Sequence, residues 1–196
     1  MLDHLDKYRI LLGSQSPRRK ELLKQLGLIF DVPELPFVDE SYPDSLSAME
    51  VASFLASKKA DAYTNLLTTR DLLITADTIV CLENEVMGKP AHRAEACGML
   101  ARLSGREHVV YTGVCVRTLH QSETFVSTTR VRFSNLTEEE IAWYVDQYKP
   151  FDKAGSYGIQ EWIGSIAVVG IEGSYFNVMG LPVQQLYSVL KGWKDQ

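Results

Sequence analysis

The amino-acid sequence predicts an α/β fold, and three observations support this class. Residues 9–27 have the pattern of a strand, a tight polar loop and a helix. Residues 108–117 and 125–133 are two runs rich in strand-forming side chains, and residues 137–148 begin with a helix-start motif. Because strands and helices are mixed along the whole chain without a repeat or linker, we expect one domain over residues 1–196.

The first elements follow from short apolar runs and their terminators. Residues 9–12 are apolar and end at a Gly-Ser pair, which is typical of a buried strand that leads into a loop. Pro17 stands at a first helical position, and leucines then recur at helical spacing until Gly27 ends the helix. Residues 28–32 predict a second strand. The prolines that follow, Pro33, Pro36 and Pro43, predict an irregular stretch.

The middle of the chain predicts a helix and a core strand. Residues 47–67 place apolar side chains on one helical face and predict one long helix. Residues 72–82 are strongly apolar and are interrupted only by Thr75, Asp77 and Thr78, so they predict a buried strand. A carboxylate in the middle of such a strand is the most unusual feature of the sequence.

The C-terminal half alternates further strands and helices. The two strand-like runs are expected to be antiparallel neighbours joined near residues 120–123. Thr137 and Glu140 form a capping box for the helix that Pro150 closes. The remaining predictions are a turn at 83–85, a loop at 87–90, helices at 94–103 and 182–190, and a strand at 166–171.

Charge and composition exclude several classes of protein. The formal net charge is -5, whereas a protein that coats nucleic acid needs a basic face, so we expect no stable nucleic-acid binding. The three cysteines are widely spaced without a CxxC pair, so we expect reduced thiols. Residues 1–8 are polar and unlike a signal peptide, and no apolar run is long enough to span a bilayer. We therefore expect no membrane association and a cytoplasmic location.

The segment Ser14-Gln15-Ser16-Pro17-Arg18-Arg19 is the first candidate for chemistry. It follows a predicted strand and opens a predicted helix, where backbone N–H groups and the helix dipole favour an anion. Arg18 and Arg19 add forked donors that suit phosphate oxygens. A capped helix with two solvated arginines would have the same sequence, so this alternative stays open. The segment is not a Walker A loop.

Asp77 is the second candidate. An ionised carboxylate inside an apolar strand is costly unless it meets a cation, which can be a metal ion or a buried arginine. A chain that binds a polyphosphate on arginines commonly also needs a carboxylate-held Mg²⁺. Glu40, after Asp39 in the irregular stretch, is a second carboxylate for that work, although loop acids are usually just solvated.

Several further residues complete a possible phosphate and base site. Lys59 and Lys89 are the candidate cations, with Lys89 favoured by its place in a Gly-Lys-Pro loop. Residues 152–160 form a glycine-rich segment in which Gln160 could present a donor and an acceptor to a base edge. Each of these residues would also be common on a surface or in an ordinary turn. The four histidines show no spacing that suggests a zinc site.

Taken together, these segments resemble the Maf family of nucleotide pyrophosphatases. The matching pieces are collinear over nearly the whole chain: SQSPRR with KELLKQLG, Asp39-Glu40, LASKKA at 55–60, ADTIV at 76–80, GKP at 88–90, MLARLSGREHVVYTGV at 99–114, DKAGSYGIQ at 152–160 and GSYFNVMGLP at 173–182. Each piece alone is weak. Their agreement in order makes the resemblance the strongest functional evidence in the sequence.

The resemblance implies a Maf/Ham1-like (ITPase-like) mixed twisted sheet with flanking helices, two lobes around a central cleft, and a homodimer. It implies hydrolysis of dTTP and UTP to the monophosphate and pyrophosphate, with Mg²⁺ or another divalent ion such as Mn²⁺. Asp77 would be the general base or the metal-linked carboxylate, and Glu40 would assist the metal or the water. The phosphates would contact Ser14, Arg18, Arg19, Lys59 and Lys89. Base selectivity would depend on Arg18, Thr78 and Gln160.

Two alternatives and one departure qualify this prediction. A nucleotide-binding regulator of septum formation and cell division would bind the same nucleotides without turnover. A relative with a different base preference would act on modified nucleotides such as 7-methyl-GTP. The departure is Glu161-Trp162-Ile163, where many relatives have a glycine directly after the glutamine, and it bears on base selectivity and on the shape of this loop.

Overall fold

The computed structural model describes residues 2–34 and 36–194. Residues 1, 35, 195 and 196 lie outside the described residues, so the single domain over 1–196, with its two lobes, stays a prediction. The strands are β1 (Arg9–Leu12), β2 (Asp71–Leu82), β3 (Glu85–Met87), β4 (Glu107–Arg117), β5 (Ser122–Phe133) and β6 (Val168–Glu172). The helices are α1 (Pro17–Gln25), α2 (Ala48–Asp61), α3 (Arg93–Leu103), α4 (Glu138–Tyr148), α5 (Trp162–Ala167), α6 (Tyr175–Met179) and α7 (Val183–Gly192). The predicted α/β class is therefore correct.

The strands form one mixed sheet in the order β1-β2-β4-β5-β6. β1 runs parallel to β2, and the other pairs are antiparallel. β1 pairs with β2 residues 71–74, and β3 pairs with residues 80–82 on the same edge. Within the described part of the chain, no strand pairs with β2 residues 75–79 on that edge, so the central strand has an open stretch there.

The two faces of the sheet carry different layers. Side chains alternate along β2, so Leu72, Ile74 and Ala76 join the main core with the leucines of α1, α3 and α7. The other face is covered by α2, whose residues Val51, Ala52 and Leu55 pack with Ile79. Asp77 lies on this second face, because it is two residues before Ile79 and side chains two positions apart in a strand point to the same face. This places the carboxylate against helix α2.

Gly113 allows α2 to lie directly on the sheet. It is the β4 residue that pairs with Asp77, and a Cβ atom at this position would lie 2.1 Å from the carbonyl oxygen of Ala52. Any side chain here would therefore force the helix away from the sheet. The glycine thus fixes the distance at which α2 side chains meet the middle of β2.

Three predicted elements differ from the structure. The predicted strand at 28–32 is reduced to a single bridge between Leu11 and Asp31, and Pro33, two residues after Asp31, cannot donate a ladder hydrogen bond. The predicted helix over 47–67 ends at Asp61, and a short 3₁₀ turn, Thr64–Leu66, returns the chain toward β2, in keeping with the weak helix propensity of Thr and Asn. The predicted strand at 166–171 begins only at Val168, because the residues before it belong to α5.

The other predictions agree with the structure within a few residues. The two strand-like runs are antiparallel neighbours, as expected. Both hydrogen bonds of the capping box between Thr137 and Glu140 are present at the start of α4. The predicted 83–85 turn is part of a β-hairpin, with Glu83 and Asn84 in left-handed backbone conformations between β2 and β3.

Candidate active site

A cleft of about 420 Å³ opens at the unpaired stretch of β2. Because the strand edge is open there, side chains from both faces of β2 reach it, Asp77 from one face and Thr78 from the other. One wall is formed by the loop before α1 together with the first turn of α1. The opposite wall is formed by the 152–159 segment. The predicted residues that line the cleft are Ser14, Arg18, Arg19, Lys59, Asp77, Thr78 and Lys89.

Asp77 is held by a lysine from α2. The Nζ atom of Lys59 binds Oδ1 of Asp77, and it lies 2.8 Å from Oε1 of Glu40. The side chains of Lys59 and Asp77 are only 17% and 12% exposed, so the ion pair offsets the cost of burying each charge. The partner of the mid-strand carboxylate is therefore a lysine at the cleft rather than an internal arginine.

Glu40 joins the two predicted lysines. Its second oxygen, Oε2, lies 3.2 Å from Nζ of Lys89. Burial alone would raise the pKa of Glu40, but hydrogen bonds and charge from Lys59 and Lys89 outweigh it and hold the pKa below its ordinary value. Glu40 lines a neighbouring cavity of about 270 Å³ that shares Ser14, Arg19 and Lys59 with the cleft. Both predicted carboxylates and both predicted lysines thus form one charge network.

The segment that opens α1 forms the predicted anion-binding end of the cleft. Pro17 is the first helical residue, and the Ser16 side chain caps the helix by accepting a hydrogen bond from the Arg19 backbone N–H. Ser14 Oγ accepts hydrogen bonds from the Ser16 N–H and from Nη1 of Arg19, both at 3.3 Å. The helix start and the arginines therefore occupy the same end of the cleft, which suits a phosphate group.

Arg19 is clamped in place. Its Nε donates to the Gly180 carbonyl at 2.8 Å, and its Nη2 donates to Thr78 Oγ1 at 3.0 Å. Burial lowers the pKa of this guanidinium, although Asp77 acts in the opposite direction. Arg19, a predicted substrate contact, thus also has a structural role, because it links α1, β2 and the turn after α6.

Arg18 faces the opposite wall. Its Nη1 lies 3.5 Å from Oδ2 of Asp152, which belongs to the 152–160 segment. This pair spans the cleft, with Arg18 30% and Asp152 61% exposed, so it is accessible to a ligand that enters between the two walls. A phosphate bound by Arg18 would therefore compete with this carboxylate.

The structure places Gln160 away from this group. Its side chain is exposed and is not among the residues that line the cleft. The neighbouring cleft residues are apolar or small, and together with parts of β2, β4 and α6 they make a less polar end: Val80, Val110, Tyr157, Gly158, Ile159, Val178 and Met179. Sequence reasoning missed this apolar end, because such side chains are indistinguishable from core residues in a sequence.

The cleft offers two neighbouring carboxylates, a donor type that fits a divalent cation. Asp77 and Glu40 converge on a single ammonium group, so their oxygens can serve one centre of positive charge. Mg²⁺ prefers one or two carboxylates together with phosphate oxygens over a complete protein cage. Within residues 2–34 and 36–194, no group of three or more His, Cys, Asp or Glu side chains has the geometry of a metal site.

The comparison with known families identifies the chain. A family model described as Maf-like protein matches residues 9–193. The chain belongs to the Maf family. It is 56% identical over 191 residues to a protein of Phocaeicola vulgatus named dTTP/UTP pyrophosphatase, a match that covers 97% of this chain and 99% of the relative. A protein of Porphyromonas gingivalis (strain W83) with the same name is 51% identical over 197 residues, covering 100% of this chain and 99% of the relative.

A solved structure shares the fold of this Maf protein. The HAM1 protein from Coxiella burnetii superimposes with a TM-score of 0.51 at 16% sequence identity, over 95% of this chain and 100% of the other. The expected Maf/Ham1-like sheet with flanking helices is therefore confirmed. Among the described helices, none has the length and apolar character needed to cross a membrane. Cys81, Cys97 and Cys115 are free thiols.

Proposed function

We propose that this Maf protein hydrolyses dTTP and UTP to the nucleoside monophosphate and pyrophosphate. The observation that carries the proposal is the nearly buried Asp77–Lys59 pair in the same cleft as the Arg18-Arg19 helix start. In a cleft that only bound a polyanion, a carboxylate would weaken binding by charge repulsion. A hydrolase, in contrast, can use the carboxylate as a proton acceptor or as a metal ligand. The names of the relatives, which match this chain over almost its full length, support the choice of substrates.

The phosphates would bind at the cationic end. Arg18, Arg19 and the backbone N–H groups at the start of α1 supply donors, and Lys59 and Lys89 add positive charge in the same cleft. The clamp on Arg19 means that its guanidinium is already oriented before a nucleotide arrives. The base would then extend toward the apolar end of the cleft near Val110, Tyr157 and Met179.

Asp77 would accept a proton from the attacking water. The water oxygen forms a bond to the α phosphorus, and the bond from that phosphorus to the bridging oxygen breaks, so that pyrophosphate leaves with the bonding electrons. The proton lost by the water passes to the Asp77 carboxylate, and Lys59 compensates charge beside it. Glu40 holds Lys59 from its other side and so keeps the pair in the cleft.

Asp77 and Glu40 would also hold a divalent cation, Mg²⁺ or Mn²⁺, together with phosphate oxygens of the substrate. When bound, such an ion would neutralise charge that develops on the departing pyrophosphate. Lys59 would then have to move partly aside, because both carboxylates bind it in this structure. The long, flexible lysine side chain can make such a move.

A panel of nucleoside triphosphates tests the proposal. Purified protein with Mg²⁺ should release pyrophosphate from dTTP and UTP faster than from the other standard nucleotides. Tight binding of UTP without pyrophosphate release would support a regulator instead, and preference for 7-methyl-GTP would support the second alternative. The expected homodimer, the cytoplasmic location and the absence of nucleic-acid binding stay predictions.

A further inference from the structure

The wall of the cleft opposite the helix start is held from behind by a chain of polar side chains. Asp152, Lys153 and Gly158 lie in that wall, whereas Tyr144 of α4 and Glu161 do not line the cleft. The side chain of Glu161 is 23% exposed, and that of Tyr144 is buried. These two residues are therefore positioned to act on the wall rather than on a ligand.

Glu161 and Asp152 hold the ammonium group of Lys153 between them. Nζ of Lys153 lies 2.8 Å from Oδ1 of Asp152 and 3.1 Å from Oε1 of Glu161, and the side chain of Lys153 is 9% exposed. Asp152 also faces Arg18 across the cleft at 3.5 Å. Because a nearly buried ammonium needs its partners, the position of Lys153 depends on both carboxylates.

Tyr144 connects Glu161 to the backbone of the wall. Its hydroxyl donates to Oε2 of Glu161 and accepts a hydrogen bond from the Gly158 N–H at 3.0 Å. Burial, and then the hydrogen bond to Glu161, raise the pKa of this hydroxyl, so it keeps its proton in the neutral range. A Cβ atom at Gly158 would lie 2.7 Å from the Glu161 carboxyl carbon, so the carboxylate occupies the space above this glycine. One carboxylate thus fixes a cation and a peptide unit of the same wall.

We propose that Glu161 is a positioning residue for nucleotide binding, which holds Lys153 and the Gly158 peptide in the cleft wall through one charge pair and through Tyr144. The inference rests on the proposed function and adds a residue to it. Glu161 is also the first residue of the departure from the usual Maf pattern. At this position Glu161 supplies the wall with a support, through Lys153 and Tyr144, that a glycine could not supply.

The contacts of Glu161 predict which kinetic constant it controls. Its carboxylate binds Lys153 and Tyr144, whereas the chemical step would take place at Asp77, which is bound by Lys59. Loss of the support should let the wall move, which weakens binding of the nucleotide in the ground state and the transition state equally. KM should rise while kcat stays nearly constant.

The test uses Glu161→Gln, Tyr144→Phe and the double variant. The glutamine variant would keep the size of the side chain but would lack the charge that holds Lys153, and the phenylalanine variant would lose the hydroxyl that joins Glu161 to Gly158. Each single variant should raise KM for UTP roughly fivefold, the net effect of about one ordinary hydrogen bond, with kcat within about twofold. Since both act through one network, the double variant should raise KM less than the product of the two single effects.

Asp146→Asn is the matched control. Asp146 lies on the same helix as Tyr144, but it pairs with Arg93 on the surface and does not line the cleft. This variant should leave KM and kcat unchanged. Unchanged KM for UTP in both single variants, with only a lower melting temperature, would overturn the inference by showing a purely structural role. An equal loss of kcat would overturn it as well.

Failure of the proposed function gives a different result. Wild-type protein that releases no pyrophosphate from any nucleotide would contradict the hydrolase itself, and the Kd for UTP measured by calorimetry would then be compared between the same variants. A rise in Kd by the same factor supports the positioning role, and no change overturns it. If Glu161→Gln does not fold, Tyr144→Phe alone decides, because it leaves every charge in place.

Discussion

Lys59 and Asp77 form an ion pair that joins helix α2 to the middle of the central strand. The pair exists because Gly113, opposite Asp77 in the sheet, lets α2 approach the strand closely. Removal of Lys59 would leave the nearly buried Asp77 carboxylate without its ion-pair partner, which is more costly than the loss of a surface pair, whereas Lys59 without Asp77 would still bind Glu40. The Lys59–Asp77 pair therefore contributes both to function and to stability. Activity and the free energy of unfolding both have to be measured to separate the two contributions.

Asp77→Asn should lower kcat for pyrophosphate release at least about 100-fold, because the amide cannot accept the proton of the attacking water. Asp71→Asn is the matched control on the same strand. Asp71 is fully buried and binds Arg9 and Thr68, remote from the cleft. This control should reduce the free energy of unfolding by about 1.5–3 kcal/mol, because charge-assisted hydrogen bonds are lost, without a change in kcat. Wild-type kcat in Asp77→Asn would contradict the assigned role.

Lys59→Met and Lys58→Met form a second matched pair. Lys59 binds Asp77 and Glu40, whereas Lys58 points to the Ser41 carbonyl at 2.8 Å and to Asp39. We expect Lys59→Met to lower kcat/KM by about 100-fold or more, an effect of the size seen when a preorganised charge is removed from an active site. Lys58→Met should change kcat/KM by less than about threefold, as expected for an exposed pair. Similar losses of kcat/KM in both variants would mean that the lysines of α2 act only through long-range electrostatic attraction, and not through the contact of Lys59 with Asp77.

Removal of divalent ions tests the predicted metal. Turnover of UTP should disappear in EDTA and return with Mg²⁺ or Mn²⁺. Glu40→Gln should raise the Mg²⁺ concentration needed for half-maximal turnover by about tenfold, because one charged oxygen ligand is lost. Lys89→Met is the comparison, since it removes the other partner of Glu40 without removing a carboxylate. An unchanged Mg²⁺ requirement in Glu40→Gln would exclude this carboxylate from the metal site.

His108 makes stability depend on pH. Burial lowers its pKa to about 4, and its Nε2 lies 2.7 Å from the Tyr157 hydroxyl. The unfolded chain, with a histidine pKa of about 6.5, binds the proton more readily, so stability is lost as the pH falls from about 6.5 toward 4. Between pH 7 and pH 5 the loss from this group is about 2 kcal/mol. Urea unfolding at both values should show this loss in the wild type and a smaller one in His108→Gln. Equal losses in the two proteins would show that His108 is not the group responsible.

Most helices and strands could be located from the sequence, because the residues that begin or end them act on nearby positions in the chain. Pro17, the Thr137–Glu140 box and the turn residues Glu83 and Asn84 each act through neighbours in the chain, so their effects can be inferred without the fold. The end of α2 at Asp61 depends on the return of the chain to β2, which is a tertiary requirement. Pattern alone extends the helix past that point.

The site divides in the same way. Asp77 stands out in the sequence because a charge interrupts an apolar run. The contacts of Arg19 with Thr78 and Gly180 join residues that are 59 and 161 positions apart, and no local pattern predicts them. Glu161, which holds the buried Lys153 together with Asp152, is likewise bound by the Tyr144 hydroxyl, 17 positions earlier in the chain. Chemistry-bearing residue types could thus be found, but their partners could not.

The continuous pairing of β2 with β4 has a consequence for heat resistance. The proposed proton acceptor belongs to a strand that is laddered to β4 from Leu73 to Cys81, instead of to a loop that can loosen separately. Its geometry should persist for as long as the central ladder does. Thermal inactivation and global melting should therefore occur together, without a warm, folded and inactive form between them.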